Sequence, residues 1–356
     1  MFHRQEMTSR ERLVTAARRN TPDRIPRIIE FEHQVETELK AKFSTQDVRR
    51  HFKVDMTFAF LNPTRGKTDF SRYFDNPSAT WDEWGAGRLW DTTQHYAEYL
   101  YPMARIETEA ELAAYPWPDM MEPYRFTGMK DRVTDLHNRG WAVFGAMGNT
   151  IFETAWQLRS MDRLFEDLLI NEPLGEFLLD RIVERRIVQA REYALAGVDA
   201  LHLADDLAMQ DRLMVSPDLF NNWLAPRYTR IIAAARAINP DILIHFHSDG
   251  KMDDLMPPLL AVGVDIFNPI QPECMDHKAM KRLYGERCSF SGGLGVQSVL
   301  PHGTPEEVTE HVRTTIETLG AGGGLIIGPA HIIERDIPYA NFIAMVEAID
   351  KCGRYC

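Results

Sequence analysis

The segment Ile242-Leu243-Ile244-His245-Phe246-His247-Ser248-Asp249-Gly250 holds the densest chemistry in this 356-residue chain. Side chains of an extended strand alternate with a period of two, so His245, His247 and Asp249 project to one face. Imidazole beside carboxylate is a metal-ligand pair of mixed nitrogen and oxygen character. A second apolar run, Leu325-Ile326-Ile327-Gly328-Pro329-Ala330, ends on His331, which can supply a third donor. His247, Asp249 and His331 would form a two-histidine, one-carboxylate set with an open coordination position. His245, one step deeper, reads either as a packed, hydrogen-bonded histidine or as a substrate-facing group. Asp249 alone would also serve as a helix cap.

Other polar residues sit where apolar runs end. After His202-Leu203-Ala204 come two adjacent acids, Asp205 and Asp206. Neighbouring residues point to opposite faces, so only one can look toward the site while the strand lasts. The expectation is Asp206 as a catalytic carboxylate with Gln210 as a neutral substrate-binding partner; helix capping is the competing explanation. Glu153 lies in the first turn of a predicted helix, where the dipole already favours an anion. It is the second catalytic candidate, and whether it or Asp206 ligates the metal stays open. The prolines of Asn268-Pro269-Ile270-Gln271-Pro272 stiffen a loop that would present Asn268 and Gln271 to a ligand. In Ser291-Gly292-Gly293-Leu294-Gly295 the absent side chains would leave room for a bulky substrate or an approaching partner. A phosphate-binding reading of these glycines lacks an adjacent Lys or Arg.

These residues need a frame that gathers strand ends. Eight short apolar runs read as strands: 24–31, 55–61, 142–148, 200–205, 242–247, 264–270, 288–293 and 324–329. Helical stretches lie between the later ones, such as 216–237 and 305–319, each opening with a cap residue before proline. Apolar strands alternating with helices imply a parallel sheet covered by helices. Eight units predict an α/β chain folded as a single (β/α)8 barrel over residues 1–356, with an N-terminal extension. The stretch 62–138, rich in Trp, Tyr (Tyr96 among them) and Pro, is expected as an insertion packed on the barrel. A dinucleotide site would need a glycine-rich turn after the first strand, and Glu30-Phe31-Glu32-His33 has none.

Composition narrows the partners. With 44% hydrophobic residues the chain can bury a core. No apolar run reaches the ~18 residues of a membrane span. Lys and Arg number 40 against 52 Asp and Glu, a net charge of −12, and no basic stripe marks a nucleic-acid binder. Cys274, Cys288, Cys352 and Cys356 lack a disulfide framework, and residues 1–6 lack an apolar signal core, so a reducing, cytoplasmic setting is expected.

The ordered set of motifs resembles the uroporphyrinogen decarboxylase superfamily, and within it the corrinoid-dependent methyltransferase-like members. The resemblance is carried by Asn20-Thr21-Pro22-Asp23-Arg24-Ile25-Pro26, by Ala204-Asp205-Asp206 with Gln210, and by His247-Ser248-Asp249-Gly250. It continues in Gly263-Val264-Asp265-Ile266-Phe267-Asn268-Pro269-Ile270-Gln271 and ends in Gly322-Gly323-Gly324 through His331. The resemblance implies a (β/α)8 barrel. True decarboxylases of this kind carry an arginine-rich N-terminal signature and an early Asp; here stand Ile28-Ile29-Glu30-Phe31-Glu32-His33 and Asn62. The methyltransferase branch binds zinc through His-x-Cys and a later Cys, positions that match His247, Asp249 and His331. Replacing both thiolates makes a metal better suited to an oxygen than to a thiol. The resemblance therefore implies a zinc-dependent O-demethylating methyltransferase. It would take a small-molecule methyl donor and a corrinoid brought in trans by a partner protein, with a homodimer left open. A decarboxylase of a small carboxylated substrate is the alternative, using basic groups such as Arg335 or Arg212 near the mouth. A non-catalytic corrinoid- or tetrapyrrole-binding barrel is the third.

Overall fold

Short runs of Val, Ile, Leu and Phe buried on both faces pair as parallel strands. In the computed structural model, which describes residues 6–90, 97–170 and 172–355, ten strands form. They are β1 (Met56–Ala59), β2 (Thr80–Trp81), β3 (Gly87–Trp90), β4 (Ala97–Leu100), β5 (Ala142–Asn149), β6 (Ala200–Ala204), β7 (Leu243–His247), β8 (Ile266–Asn268), β9 (Ser289–Leu294) and β10 (Leu325–Pro329). The main sheet runs β1-β5-β6-β7-β8-β9-β10, parallel throughout.

Segment 24–31 closes the cylinder between the two edges. Ile28 N–H donates to Ile327 O at 3.0 Å, Ile327 N–H to Pro26 O at 2.9 Å, and Asp55 N–H to Arg27 O at 3.0 Å. The expected strand 24–31 is thus in position, but it makes only isolated bridges, at Arg24, Arg27 and Phe31, rather than a regular ladder. Pro26 has no N–H to donate, which thins the ladder there. The architecture is a (β/α)8-type barrel.

Alternation sorts the side chains into two layers. Met56, Phe144, Ala200, Leu243, Ile266 and Ile326 fill the interior, and Leu13 and Ala17 of the helix Ser9–Ala17 plug its lower end. That helix starts with a reciprocal capping box between Thr8 and Glu11. Leu201, Leu203, Ile244, Phe246, Phe267 and Phe290 face outward against the helices.

The helix Pro305–Leu319 has the expected bounds and a Thr304–Glu307 capping box. The expected helix 216–237 is instead three pieces: Pro217–Leu219, a π-turn at Phe220–Leu224, and Ala225–Arg236. Pro226 cannot donate to the preceding turn, so the ladder slips there.

Within 62–138, β2, β3 and β4 form a small antiparallel sheet. Phe70, Trp84 and Tyr115 of this stretch join the same hydrophobic cluster as the barrel's outer layer. Asn62 fastens the insertion, donating to Tyr124 O and Thr127 O at 2.9 Å each. Tyr96, Cys356 and residues 1–5 lie outside the described residues. Among the described residues, no helix is long and apolar enough to cross a membrane.

Candidate metal centre

Barrels of this kind build sites where strands end and βα loops begin. On β7, Leu243 sits in the inner core while Ile244 and Phe246 face outward, so His245 and His247 point up the interior. His202 of β6 is in register with His245, and Ala204 with His247. The chain then leaves β6 through Asp205 and Asp206.

One donor atom each from Asp206, His247 and Asp249 fall within 4.8 Å of one another. His247 Nε2 is 3.9 Å from both Asp206 Oδ1 and Asp249 Oδ1. On its other side, His247 Nδ1 is 2.6 Å from Asn268 Oδ1. A carbonyl oxygen only accepts, so the imidazole proton lies on Nδ1 and the Nε2 lone pair faces the two carboxylates. Asn268 is itself oriented by donating to Ser291 Oγ at 3.3 Å. Asp206 Oδ1 accepts from the Asp249 backbone N–H at 2.8 Å. Asp249 Oδ1 is buried and has no hydrogen-bond partner, a condition that costs about 1–3 kcal/mol unless something else engages the oxygen.

The close approach of the two loops depends on Gly250. It has φ +88°, and a Cβ there would stand 2.4 Å from Met209 O. Lys251 N–H donates to that same carbonyl at 2.8 Å. Any larger residue would push Asp249 away from the loop that carries Asp206.

An imidazole lone pair, two carboxylates and an orphaned buried oxygen suit a divalent cation held by mixed nitrogen and oxygen donors. Burial raises the Asp249 carboxyl, His247 opposes that, and Asp206 adds to it. Glu153 is pushed up to about 9, first by burial and then by the charges of Asp205, Asp206 and Asp249. Acid crowded against acid is what a cation would relieve.

The two adjacent acids divide their labour. Asp205 is fully buried and accepts from Ile151 N–H at 2.8 Å, Glu153 N–H at 2.7 Å and the Tyr228 hydroxyl. It pins the start of the helix Phe152–Arg159 to the end of β6. Burial raises its pKa to about 6. Asp206 is the acid that reaches the centre.

A cavity of about 150 Å³ opens beside His247, lined among others by Glu30, His202, His245, Asn268 and His331. His331 faces this cavity but is not one of the three clustered donors; its Nδ1 lies 3.8 Å from Glu334 Oε1. Asp206 rather than His331 joins His247 and Asp249 in the donor cluster, because β6 adjoins β7 whereas β10 is separated from it by β8 and β9. Gln271 is buried and accepts from Gly250 N–H at 2.6 Å, so it braces the loop rather than facing a ligand. Gln210 is exposed and accepts from the Cys274 thiol at 3.0 Å. Arg335 Nε pairs with Glu32 Oε2 at 3.4 Å outside the cavity lining. The space expected at Gly292 is occupied by neighbouring backbone, since a Cβ there would meet Pro269 O at 2.5 Å.

Two residues escaped the sequence reading. Glu30 lies in the cavity wall, its carboxyl raised by burial and opposed by Arg49, His247 and His331. An acid two residues after Ile28 on an otherwise apolar run was the available signal. His202 stands one strand over from His245, which only the β6–β7 register makes visible.

Three comparisons bear on this geometry. The family described as "Uroporphyrinogen decarboxylase (URO-D)" matches residues 104–352. A methylated-thiol–coenzyme M methyltransferase of Methanosarcina mazei is 23% identical over 236 residues, covering 65% of this chain; the match spans about 60% of that relative's length. A solved methyltransferase structure from Methanosarcina mazei aligns over 97% of this chain and 99% of its own, with a TM-score of 0.65 at 18% identity. At that identity the likeness is one of fold.

Proposed function

The chain belongs to the uroporphyrinogen decarboxylase family, and on that premise we propose that it is a metal-dependent methyltransferase, moving a methyl group from an O-methyl substrate to a corrinoid on a partner protein. The single observation that carries the reading is the buried, partnerless Asp249 Oδ1 beside the His247 Nε2 lone pair and Asp206. Asp206, His247 and Asp249 would hold the metal, zinc being the expected ion. When bound, zinc supplies Lewis acidity toward the ether or phenolic oxygen from which the methyl group leaves.

The chain's own residues prepare that site. Asn268 fixes the His247 tautomer, so a lone pair rather than an N–H faces the carboxylates. A hydrogen-bond partner on the far ring nitrogen orients metal-binding histidines generally. Glu153, kept protonated by burial and neighbouring acids, stands as a proton reservoir for an oxygen that gains negative charge. Glu30 and His331 line the wall of the cavity that would receive the donor molecule. A thiol substrate, such as the relative's name carries, suits a metal held by soft thiolate ligands, whereas the oxygen donors here favour an oxygen substrate.

A polycarboxylate decarboxylase would need free guanidinium groups in the cavity. Among the described residues, neither Lys nor Arg lines it. Arg125 is occupied with Asn62 O, Asp119 and Glu83, and Arg186 with Asn149 O, Thr150 O and Gln189.

Elemental analysis of the purified protein is expected to find about one zinc per chain. His247→Ala should lose metal retention and corrinoid methylation together while the fold persists. Full activity in metal-free His247→Ala would overturn the proposal.

A further inference from the structure

Below the metal-ligand trio, two histidines form a pair that the trio does not use. The Nδ1 atoms of His202 and His245 lie 2.8 Å apart. Their ring centroids are 4.9 Å apart with the planes tilted by 37°. Phe58 packs against the first ring and Phe144 against the second, at centroid distances of 5.1 and 5.3 Å.

A neutral imidazole has one N–H and one lone pair. Two Nδ1 atoms in hydrogen-bond contact must share one proton, so deciding which ring holds it fixes the outer nitrogen of both. His245 is 1% exposed, and its Nε2 is buried with no hydrogen-bond partner. If His202 donated, His245 would carry an N–H on that enclosed nitrogen. Among buried backbone groups an orphaned N–H is rarer than an unused acceptor, and the same preference at this ring leaves a lone pair, not an N–H, on the enclosed nitrogen. The favoured arrangement has His245 Nδ1–H donating to His202 Nδ1, which leaves the His202 proton on Nε2. His202 lines the cavity beside His247, the two ring centroids 6.3 Å apart.

We infer that the His202–His245 pair is a fixed hydrogen-bond donor: His202 presents Nε2–H into the cavity to an oxygen acceptor of the substrate, and His245 holds it in that tautomer. The donor would sit beside the metal-ligand trio and grip a phenolic, ether or carboxylate oxygen. The tautomer stands on the geometry alone, whereas the oxygen-bearing substrate rests on the function proposed above.

The test uses the full chain. Long-range proton–nitrogen NMR of isotope-labelled histidines should find His245 as the Nδ1–H tautomer and His202 as the Nε2–H tautomer; the reverse overturns the inference. Phenol, titrated as the probe, should shift the His202 Nε2 resonance. His202→Phe should weaken phenol binding about tenfold, or about 1.4 kcal/mol. His202→Gln, whose amide can accept from His245 and donate to the cavity, should restore it. Undiminished phenol binding by His202→Phe overturns the donor role. Bound zinc, measured on the same samples, should be unchanged in both variants, because neither alters a proposed ligand. A failure of the metal reading would therefore show in zinc content, and a failure of this inference in tautomer and phenol binding.

Discussion

Asp55 and Asp249 sit at opposite ends of the same barrel and are treated in opposite ways. Asp55, at the start of β1, is fully buried and accepts from Arg12 Nη1 at 2.7 Å, from Arg24 Nη1 and Nη2 at 2.8 and 3.0 Å, and from Arg27 N–H at 2.8 Å. Asp199, at the start of β6, likewise accepts from Arg10 at 2.7 Å and Val143 N–H at 2.8 Å, and lies 3.0 Å from His137 Nε2. At the strand ends, Asp206, Asp249 and Glu153 crowd together, and Asp249 Oδ1 accepts nothing. On the lower face, Asp55 and Asp199 are each met by guanidinium and backbone N–H donors that fasten strands to one another. The upper face leaves like charges together and one oxygen free. That asymmetry separates a stability network from a site, in keeping with the division of labour between the two faces of such barrels.

Breaking the lower network should give the largest effect. Asp55→Ala leaves the buried Arg27 N–H without its acceptor and takes one carboxylate from Arg12 and Arg24, although Arg12 keeps Asp23; breaking a buried pair of this kind costs about 3–5 kcal/mol. Urea denaturation should register the loss, with the zinc content of the folded fraction unchanged. If Asp55→Ala were neutral in stability, the contrast between the two faces would collapse.

On the upper face, Asn268→Ala removes the acceptor that fixes the His247 tautomer. Zinc affinity should fall about 10–100-fold, the usual cost of losing such a partner. Competition with a zinc-binding dye would read this, and urea stability should move far less than in Asp55→Ala.

The last test concerns pH. In metal-free protein, the Glu153 pKa is about 9 when folded, against about 4.3 for an unperturbed Glu. Between those values the folded chain keeps a proton that the unfolded chain has lost, so Glu153 makes stability fall as pH rises. Glu153→Gln should flatten that slope and leave the protein no less stable at neutral pH. An unchanged slope of unfolding free energy against pH would mean that Glu153 is ionised and compensated, like its counterparts below.

Much of the scaffold was legible in the chain. The runs that became β5, β6, β7, β9 and β10 stand out as apolar stretches bounded by turn residues. Thr304-Pro305-Glu306-Glu307 announced its helix because capping is local chemistry. The period of two on β7 put His245, His247 and Asp249 on one face without any tertiary information. The slip in the helix 216–237 was less legible, since Pro226 also suits a helix's first turn and gives no sign of a π-turn.

What the sequence could not decide was which distant groups share a wall. Asp205 and Asp206 are neighbours of the same type, and only the contact of one with Tyr228 and the helix start, and of the other with the Asp249 amide 43 residues away, separates them. His331 was expected as the third donor beside His247 and Asp249, but strand order sets β6 beside β7 and β10 three places along, so Asp206 is the residue that clusters with them while His331 lines the adjoining cavity. His202 gained its meaning only from the β6–β7 register. Local patterns fix a residue's face through the backbone repeat, but neighbours across a barrel are set by hydrogen bonds between segments far apart in the chain, and no short-range spacing encodes those.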